Sequence, residues 1–353
     1  MMLLAKRPSF GENALVPRSH MVLAVGLVLA LAGCGGSDEP EPPQVLVGGL
    51  PTRSPADAAS PPVADPALAS PTPPPREPMV VSLAWLDAGL TVPELPSPFA
   101  ARLEDAGLRA AIEAALGGRE GSYSVVVHNL ADGRYAALND GNVYYAASLY
   151  KVELLIEAYR QRDAGELDFS RLLTLEKKYV EQDLKTLELL GLIEGDMVSV
   201  QDAVRAMTIV SDTPTAVLMQ DTLNPVRVDG TLASLGLTDT ENANRDLPTS
   251  ARDMARLLTA IAAGEGGVAE ASRLEMLSLL HQEWLTEGIV AGVPAEAAVA
   301  HKTGSYTDAT HDVALVWGPD GPYVIAVLTD RSYDWEPVRE VSRAVWDYFA
   351  ASP

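Results

Sequence analysis

The amino-acid sequence predicts an α+β fold, in which terminal helices pack on an antiparallel sheet of about five strands and an all-helical domain is inserted. Three observations predict this class. Strand-like stretches occur early and late in the part of the chain after residue 95. A long middle section has apolar residues at helical spacing, and strands and helices do not alternate singly as a parallel sheet requires. With 353 residues, of which 47% are hydrophobic, the chain is long enough to bury a sizeable core.

The N-terminus has the pattern of an export signal. Three basic residues among the first eighteen precede an apolar run at 21–33, which is short for a membrane span and suits a signal peptide. The run ends in LAGC, which resembles the lipobox of bacterial lipoproteins. Residues 1–33 are therefore predicted to be a lipoprotein signal peptide and Cys34, the only cysteine, the lipidation site. The alternative is a buried apolar segment that happens to contain cysteine.

A proline-rich stretch follows this cysteine. Half of the 26 prolines lie between Pro40 and Pro78, and such a composition buries too little apolar surface to offset the entropy of ordering. Residues 34–95 are therefore predicted to be a lipidated cysteine with a Pro/Ala-rich tether, within which 79–92 is compatible with an edge strand or a packed linker. We expect an exported lipoprotein, anchored to a membrane on its periplasmic or extracellular side, whose globular domain spans 96–353.

The elements of the globular domain follow from local patterns. A helix is predicted where apolar residues recur at helical spacing before a Gly-Gly stop, and hairpins where two apolar runs flank a Gly-containing turn. In chain order these elements are a helix at 99–118, strands at 122–130 and 134–140, a helical subdomain at about 148–285, strands at 299–305, 311–319 and 323–330, and an amphipathic helix at 338–351.

Charge and ligand patterns exclude two classes of partner. The formal net charge of −22 argues against nucleic acid, whose phosphates require a basic surface. Five scattered histidines and one cysteine give no metal-ligand spacing. We therefore expect no cofactor and no metal. The expected oligomeric state is a monomer.

Three short motifs follow one another in the globular domain. Ser148 stands three positions before Lys151 on a predicted helix, so that both side chains share one face. Ser211 and Asp212 follow in VSDTPTA, and Lys302 follows in HKTGS. Each motif alone is compatible with a helix cap or a solvated strand end. Together, in this order, they match the motif set of penicillin-recognising serine enzymes.

The chain resembles the class A β-lactamases from about residue 99 to residue 350, nearly all of the globular domain. The resemblance implies a serine hydrolase that opens β-lactam amide bonds through an acyl-enzyme on Ser148. The segments that carry the resemblance are 144–175, 199–219, 249–265 and 300–330.

The resemblance also implies roles for the motif residues. A serine hydroxyl needs an adjacent base, and Lys151 can serve when burial and the nearby Lys302 depress its pKa. Ser211 is expected to bridge the two lysines and relay a proton to the leaving nitrogen. The backbone N–H groups of Ser148 and Ser305 are expected to form the oxyanion hole. Lys302, with the hydroxyls of Thr303 and Ser305, is expected to bind the substrate carboxylate, and the candidate substrate-binding residues are Thr213, Thr303, Gly304 and Ser305.

The first departure from the family pattern is Thr213, which stands where the family usually has asparagine. A threonine offers a hydroxyl in place of an amide donor and acceptor. Recognition of the substrate amide by this position is therefore expected to differ.

The second departure is a short segment, TDTENANRDLP, where the family carries the glutamate that activates the deacylating water. Glu241 is the only glutamate in it, and Asn244 does not have the family's spacing. Glu241 is a candidate deacylation base or an exposed loop acid. His311, beside Asp312, is another candidate base or a structural histidine, and supplementary carboxylate contacts are considered for Arg245 and Arg331.

Three functions remain open from the sequence. The first is a β-lactamase with a divergent deacylation device. The second is a penicillin-binding D,D-peptidase-like hydrolase of peptidoglycan stem peptides. The third is a non-catalytic lipoprotein that binds these ligands and stays acylated. The expected ligand is accordingly a β-lactam or a peptide of the D-Ala-D-Ala type.

Overall fold

The computed structural model describes residues 76–351. Its ten strands are β1 (Leu103–Glu104), β2 (Tyr123–Asn129), β3 (Arg134–Leu138), β4 (Val143–Tyr145), β5 (Leu172–Thr174), β6 (Met197–Ser199), β7 (Pro248–Ser250), β8 (Val299–Tyr306), β9 (Ala309–Gly318) and β10 (Gly321–Thr329). The α-helices among these residues are α1 (Ala106–Leu116), α2 (Tyr150–Asp163), α3 (Lys177–Val180), α4 (Thr186–Leu190), α5 (Val200–Ile209), α6 (Thr213–Leu223), α7 (Pro225–Ser234), α8 (Ala251–Ala263), α9 (Glu270–His281) and α10 (Glu336–Ala351). Short 3-10 turns lie at Ala84–Leu86, Ala147–Leu149 and Val290–Gly292.

The main sheet has the strand order β1-β3-β2-β10-β9-β8. Its five long strands are antiparallel, as predicted, and the two-residue β1 adds a parallel edge next to β3. This edge strand lies inside the stretch 99–118 that was predicted to be one helix. The helix begins only at Ala106, because the Asp105 carboxylate caps it by accepting hydrogen bonds from the N–H groups of Gly107 and Leu108.

Both faces of the sheet are covered, because alternate strand residues point to opposite sides. Val125 and Val127 face a layer formed by α1 and α10, whereas Val126 between them faces the helical part of the chain. The two terminal helices thus pack on one face, as the sequence predicts. The fold places β8 at the open edge of the sheet, where it lies against the turn that carries Ser148.

The inserted subdomain, predicted as all-helical at 148–285, contains α2 to α9 and also short β ladders. β5 pairs with β6 inside it, and β7 pairs with β4, which precedes it. Helix α2 runs through its core, and eleven of its fourteen residues are buried. This burial explains why α2 has no clear polar face in its sequence, and it provides a rigid support for the residues at its N-terminus.

The stretch 76–95, assigned to the tether from its sequence, packs against the domain. Arg76 pairs with Asp196, and the Val81 N–H donates to the Met197 carbonyl at 2.8 Å. Leu83 is buried in the main core. The folded unit therefore begins before the predicted boundary at 96. The predicted signal peptide, Cys34 and the rest of the tether lie outside the described residues. Within residues 76–351, no helix has the length and apolar character to cross a membrane.

A buried carboxylate on α2 predicts how stability depends on pH. Glu153 is buried, and the Asn242 amide donates to it at 2.9 Å. Burial, opposed by this hydrogen bond and reinforced by Asp229 and Asp253, raises the pKa of Glu153 to about 8. The folded pKa exceeds the unfolded value of about 4.3. The contribution of protonated Glu153 to the free energy of unfolding is therefore complete below pH 4 and is lost as pH rises through 8.

We therefore expect the Glu153→Gln variant to gain stability relative to the wild type between pH 5 and pH 9. The gain should be on the order of a few kcal/mol, because glutamine never has to ionise inside the core. Urea unfolding at several pH values measures it. Glu241→Gln, at an exposed glutamate, is the matched control and should follow the wild type. If the difference in unfolding free energy between Glu153→Gln and the wild type were the same at every pH, Glu153 would not be a buried group that titrates.

Candidate active site

Ser148 lies in the 3-10 turn at Ala147–Leu149, directly before α2. The turn is strained, since Ala147 has φ +47°, in the left-handed region that residues with a Cβ rarely adopt. Hydrogen bonds on both sides fix it: Ala146 N–H donates to the Leu247 carbonyl at 2.8 Å, and Leu149 N–H to the Ala146 carbonyl at 3.0 Å. Ser148 is therefore held in one orientation and is only half-buried.

Lys151 connects the first two motifs. Its Nζ lies 3.0 Å from Ser148 Oγ and 3.1 Å from Ser211 Oγ, and it donates to the Ser211 carbonyl at 2.5 Å. Thr213 Oγ1 lies at 3.5 Å. The structure thus brings together four of the residues singled out from the sequence, around one buried amine. In its neutral form, this amine can accept the proton of the Ser148 hydroxyl.

The environment of Lys151 favours the neutral amine. Burial is the main cause that lowers the pKa of Lys151 to about 7, and the positive charge of Lys302 lowers it further. Asp212 and Glu283 act in the opposite direction. The lowered pKa makes the neutral amine, which is the state a general base requires, accessible near neutral pH.

Ser211 reaches Lys151 because of the backbone between α5 and α6. Ser211 has φ +57°, again in the left-handed region. The next residue, Asp212, caps α6 by accepting a hydrogen bond from Thr215 N–H at 2.7 Å, and it also binds the Thr186 hydroxyl. The helix-cap interpretation and the site interpretation of this motif are thus both valid. The cap fixes the turn, and the turn directs the Ser211 carbonyl and hydroxyl toward Lys151.

Lys302 lies on β8 and is fully buried, but its partner differs from the one expected. Its Nζ forms an ion pair with Glu283 and donates to the Thr303 carbonyl at 3.1 Å. Among the described residues it has no hydrogen bond with Ser211, so Ser211 does not bridge the two lysines here. Sequence reasoning missed Glu283, which follows α9 and belongs to none of the three motifs. The Lys302 charge still acts on the pKa of Lys151.

Gly304 allows β8 to approach the Ser148 turn. A Cβ at this position would lie 3.0 Å from the Ala146 carbonyl oxygen and 3.2 Å from Leu149 Cγ, closer than most such contacts. Glycine therefore leaves room for this close approach, since a Cβ would make these neighbours shift by a few tenths of an ångström. The next residue, Ser305, is half-buried and continues the strand past the turn. Thr303 is buried, and its hydroxyl donates to Glu283 at 2.7 Å.

Glu241 lies apart from this cluster. It is exposed, and its carboxylate accepts a hydrogen bond from the Asn244 amide at 3.1 Å. Within residues 76–351 it makes no hydrogen bond or ion pair with Ser148 or Lys151. In this structure Glu241 has the position of a loop acid, and its assignment as the deacylation base has no support from contacts.

His311 has the contacts of a structural histidine. It is buried, with Nε2 3.0 Å from the Tyr145 carbonyl and Nδ1 accepting from Thr329 N–H at 3.2 Å. Burial lowers the pKa of His311 to about 4, so the ring is neutral and both nitrogens are occupied. Asp312 contacts the His301 ring and the Ile289 N–H instead. The two arginines considered for carboxylate binding, Arg245 and Arg331, have exposed side chains.

Sequence comparison assigns the family. The profile of the β-lactamase enzyme family matches residues 107–349. The chain belongs to the β-lactamase enzyme family. No curated protein matches the chain.

Solved structures agree with this fold. The structure of PBP-A is 23% identical, with a TM-score of 0.67 over 72% of this chain and 100% of that chain. A PBP-A mutant in an acyl-enzyme complex with penicillin G gives the same values. A β-lactamase from Sphaerobacter thermophilus is 25% identical, with a TM-score of 0.63 over 70% of this chain and 98% of that chain. The protein has the β-lactamase/transpeptidase-like fold expected from its motifs.

Proposed function

We propose that this member of the β-lactamase family is a serine hydrolase that opens β-lactam amide bonds through an acyl-enzyme on Ser148. The observation that carries the proposal is the 3.0 Å contact between Ser148 Oγ and Lys151 Nζ, a buried amine whose pKa is lowered to about 7. Neutral Lys151 takes the proton of Ser148, and Oγ bonds to the carbonyl carbon. The backbone N–H groups of Ser148 and Ser305 stabilise the oxyanion.

Ser211 supplies a route for the proton in the second half of acylation. Its Oγ is 3.1 Å from Lys151 Nζ, so the proton taken from Ser148 can pass through this hydroxyl to the leaving nitrogen. The C–N bond then breaks, the nitrogen leaves with the proton, and the ester on Ser148 remains. Acylation thus restores neutral Lys151 for the hydrolytic half-reaction.

The acyl-enzyme is expected to be hydrolysed slowly. Among the described residues, no carboxylate forms a hydrogen bond or ion pair with Ser148 or Lys151, and Glu241 is exposed. This observation favours a second candidate, a penicillin-binding D,D-peptidase-like hydrolase of stem peptides. It is equally compatible with a binding lipoprotein that remains acylated. The three candidates share the acylation step and differ in the fate of the acyl-enzyme.

A chromogenic cephalosporin separates these candidates. The mature protein is mixed with it, absorbance is followed over time, and peptide mapping by mass spectrometry locates the adduct. Steady turnover supports the β-lactamase, whereas a stoichiometric burst that stops supports the other two. Release of D-Ala from a stem-peptide mimic then distinguishes a peptidase from a binding protein. Absence of both reaction and adduct on Ser148 would overturn the acylation proposal.

We also propose that the protein is an exported lipoprotein held at a membrane through Cys34. The basic residues, apolar run and LAGC sequence at the N-terminus support this proposal. Expression of the full chain with a radiolabelled fatty acid should give a labelled band in the membrane fraction. Cys34→Ala should remove the label and release the protein. Labelling that persists in the variant would contradict anchoring at this residue.

The pKa of Lys151 predicts the pH dependence of acylation. Only the neutral amine accepts the serine proton, and the pKa of Lys151 is lowered to about 7, mainly by burial. The acylation rate constant should therefore rise about tenfold per pH unit below pH 7 and level off above it. Burst kinetics between pH 5 and 9, with circular dichroism as the folding control, measure it. A flat profile, or an inflection near pH 10, would contradict the role of Lys151 as base.

A further inference from the structure

The Glu283 carboxylate is bound by three donors on β8. Its Oε1 pairs with Lys302 Nζ and accepts from Thr303 Oγ1 at 2.7 Å, and its Oε2 accepts from Thr303 N–H at 2.9 Å. The Glu283 and Lys302 side chains have no exposed surface. An ammonium, a hydroxyl and a backbone N–H that converge on one carboxylate form a complete carboxylate-binding site. In this protein the site already contains a carboxylate from the chain itself.

This carboxylate lies along the strand edge that faces the candidate nucleophile. β8 is the last strand of the sheet and pairs only with β9 among the described strands. Alternate N–H groups of such a strand point to the same edge. The N–H of Thr303, which binds Glu283, and that of Ser305, the proposed oxyanion donor, therefore share the free edge, about 7 Å apart. Glu283 thus lies beside the place where a substrate bond would be attacked.

Glu283 also cancels the charge that would attract a substrate carboxylate. Lys302 and Thr303 are two of the three groups that the family resemblance assigns to this carboxylate, the third being the Ser305 hydroxyl, and both are bound to Glu283. The adjacent His301 pairs with Asp312 at 3.1 Å. Burial lowers the pKa of His301, but Asp312 and Glu283 outweigh it and raise the pKa overall. Two carboxylates, Glu283 and Asp312, thus lie against Lys302 and His301 at this end of β8.

We propose that Glu283 determines substrate specificity by filling the carboxylate subsite of Lys302 and Thr303. Ser148 then reacts preferentially with acyl donors whose leaving group carries no carboxylate beside the scissile bond, such as amides, esters and internal peptide bonds. A substrate with a free carboxylate must first displace a buried, triply bound glutamate. This inference rests on the proposed acylation of Ser148. It narrows the substrate class of that same site, because β-lactams and D-Ala-D-Ala peptides that carry this carboxylate should acylate Ser148 more slowly than donors without it.

Two thioester probes test the inference. One is an N-acyl-D-alanyl thioester of thioglycolic acid, which carries the carboxylate, and the other is the same thioester of thioglycolamide, which does not. In each reaction the C–S bond breaks, the Ser148 Oγ–C bond forms, and the proton leaves with the thiol. Both probes give the identical acyl-enzyme, so deacylation cancels from the comparison. Adduct formation is followed by intact mass, and each rate is divided by that probe's uncatalysed hydrolysis.

In the wild type we expect the carboxamide probe to acylate Ser148 faster, by about tenfold. Glu283→Gln should shift the preference toward the carboxylate probe by roughly tenfold or more, because Lys302 then keeps its charge for the substrate. Glu287→Gln, an exposed glutamate in the same loop, is the matched control and should not change the preference. Circular dichroism verifies the folding of each variant.

Two results would overturn the inference. One is a wild type that reacts with the carboxylate probe as fast as, or faster than, the carboxamide probe. The other is a folded Glu283→Gln variant with the wild-type preference. If that variant does not fold, the wild-type comparison alone decides. Failure of both probes to form an adduct would instead refute the acylation of Ser148, and with it the inference.

Discussion

Replacing Ser148 with alanine should abolish the covalent adduct with a cephalosporin and reduce β-lactam opening by roughly 10⁴-fold or more. The reason is chemical, since the Ser148 Oγ is the atom that becomes the ester oxygen, and its position 3.0 Å from Lys151 Nζ is the basis of the proposed acylation. The variant lacks only this oxygen. Intact mass after incubation with excess cephalosporin should show the unmodified chain, whereas the wild type should gain the mass of one ligand.

A matched control for this experiment is Ser234→Ala. Ser234 is exposed at the end of α7, where its hydroxyl donates to the Thr231 carbonyl at 2.7 Å. This variant should form the adduct at the wild-type rate. Thermal unfolding should confirm that both variants keep the fold, because Ser148 contributes one short side chain at a half-buried position. A stoichiometric adduct on another residue of Ser148→Ala would refute the assignment of the nucleophile.

The strands could be predicted from the sequence because their pattern is local. Val125, Val126 and Val127 belong to a short run of β-branched residues beside an Asp-Gly turn, and both faces of that strand are buried. The beginning of α1 was placed too early, because the residues before Asp105 continue its apolar pattern. The packing of 76–95 was missed for a similar reason. Its composition resembles a tether, and its attachment follows from tertiary contacts such as the pairing of Arg76 with Asp196.

The part of the candidate site that depends only on spacing along one helix could be predicted from the sequence. Ser148 and Lys151 are three residues apart, so helix geometry alone brings them together. Ser211 and Lys302 were found through the order of the motifs. Glu283 could not be found in this way, because its role follows from tertiary contacts with β8 and it lies in a loop without a motif. Glu241 is a candidate deacylation base because it is the only glutamate of its segment, but this argument does not determine the direction of its side chain.

Replacing Lys151 with methionine should reduce the acylation rate by about 10²–10⁴-fold while the fold is retained. Methionine keeps most of the length of the side chain and removes the amine that accepts the serine proton. Stability should not decrease at pH 6. Burial is the main cause that lowers the pKa of Lys151 to about 7, so at pH 6 the folded wild type carries the full cost of a buried ammonium, which the variant avoids. Burst kinetics and urea unfolding measure the two effects.

A second variant separates proton transfer from charge. Lys151→Arg keeps a positive charge near Ser148 but cannot be deprotonated in a protein, so it should be as slow as the methionine variant. Lys177→Met, at an exposed lysine on α3, is the control and should acylate like the wild type. If Lys151→Arg acylates at the wild-type rate, the cation and not the base is what the serine requires. A slow arginine variant, together with a rise of the wild-type rate through pH 7, would assign the proton of Ser148 to Lys151.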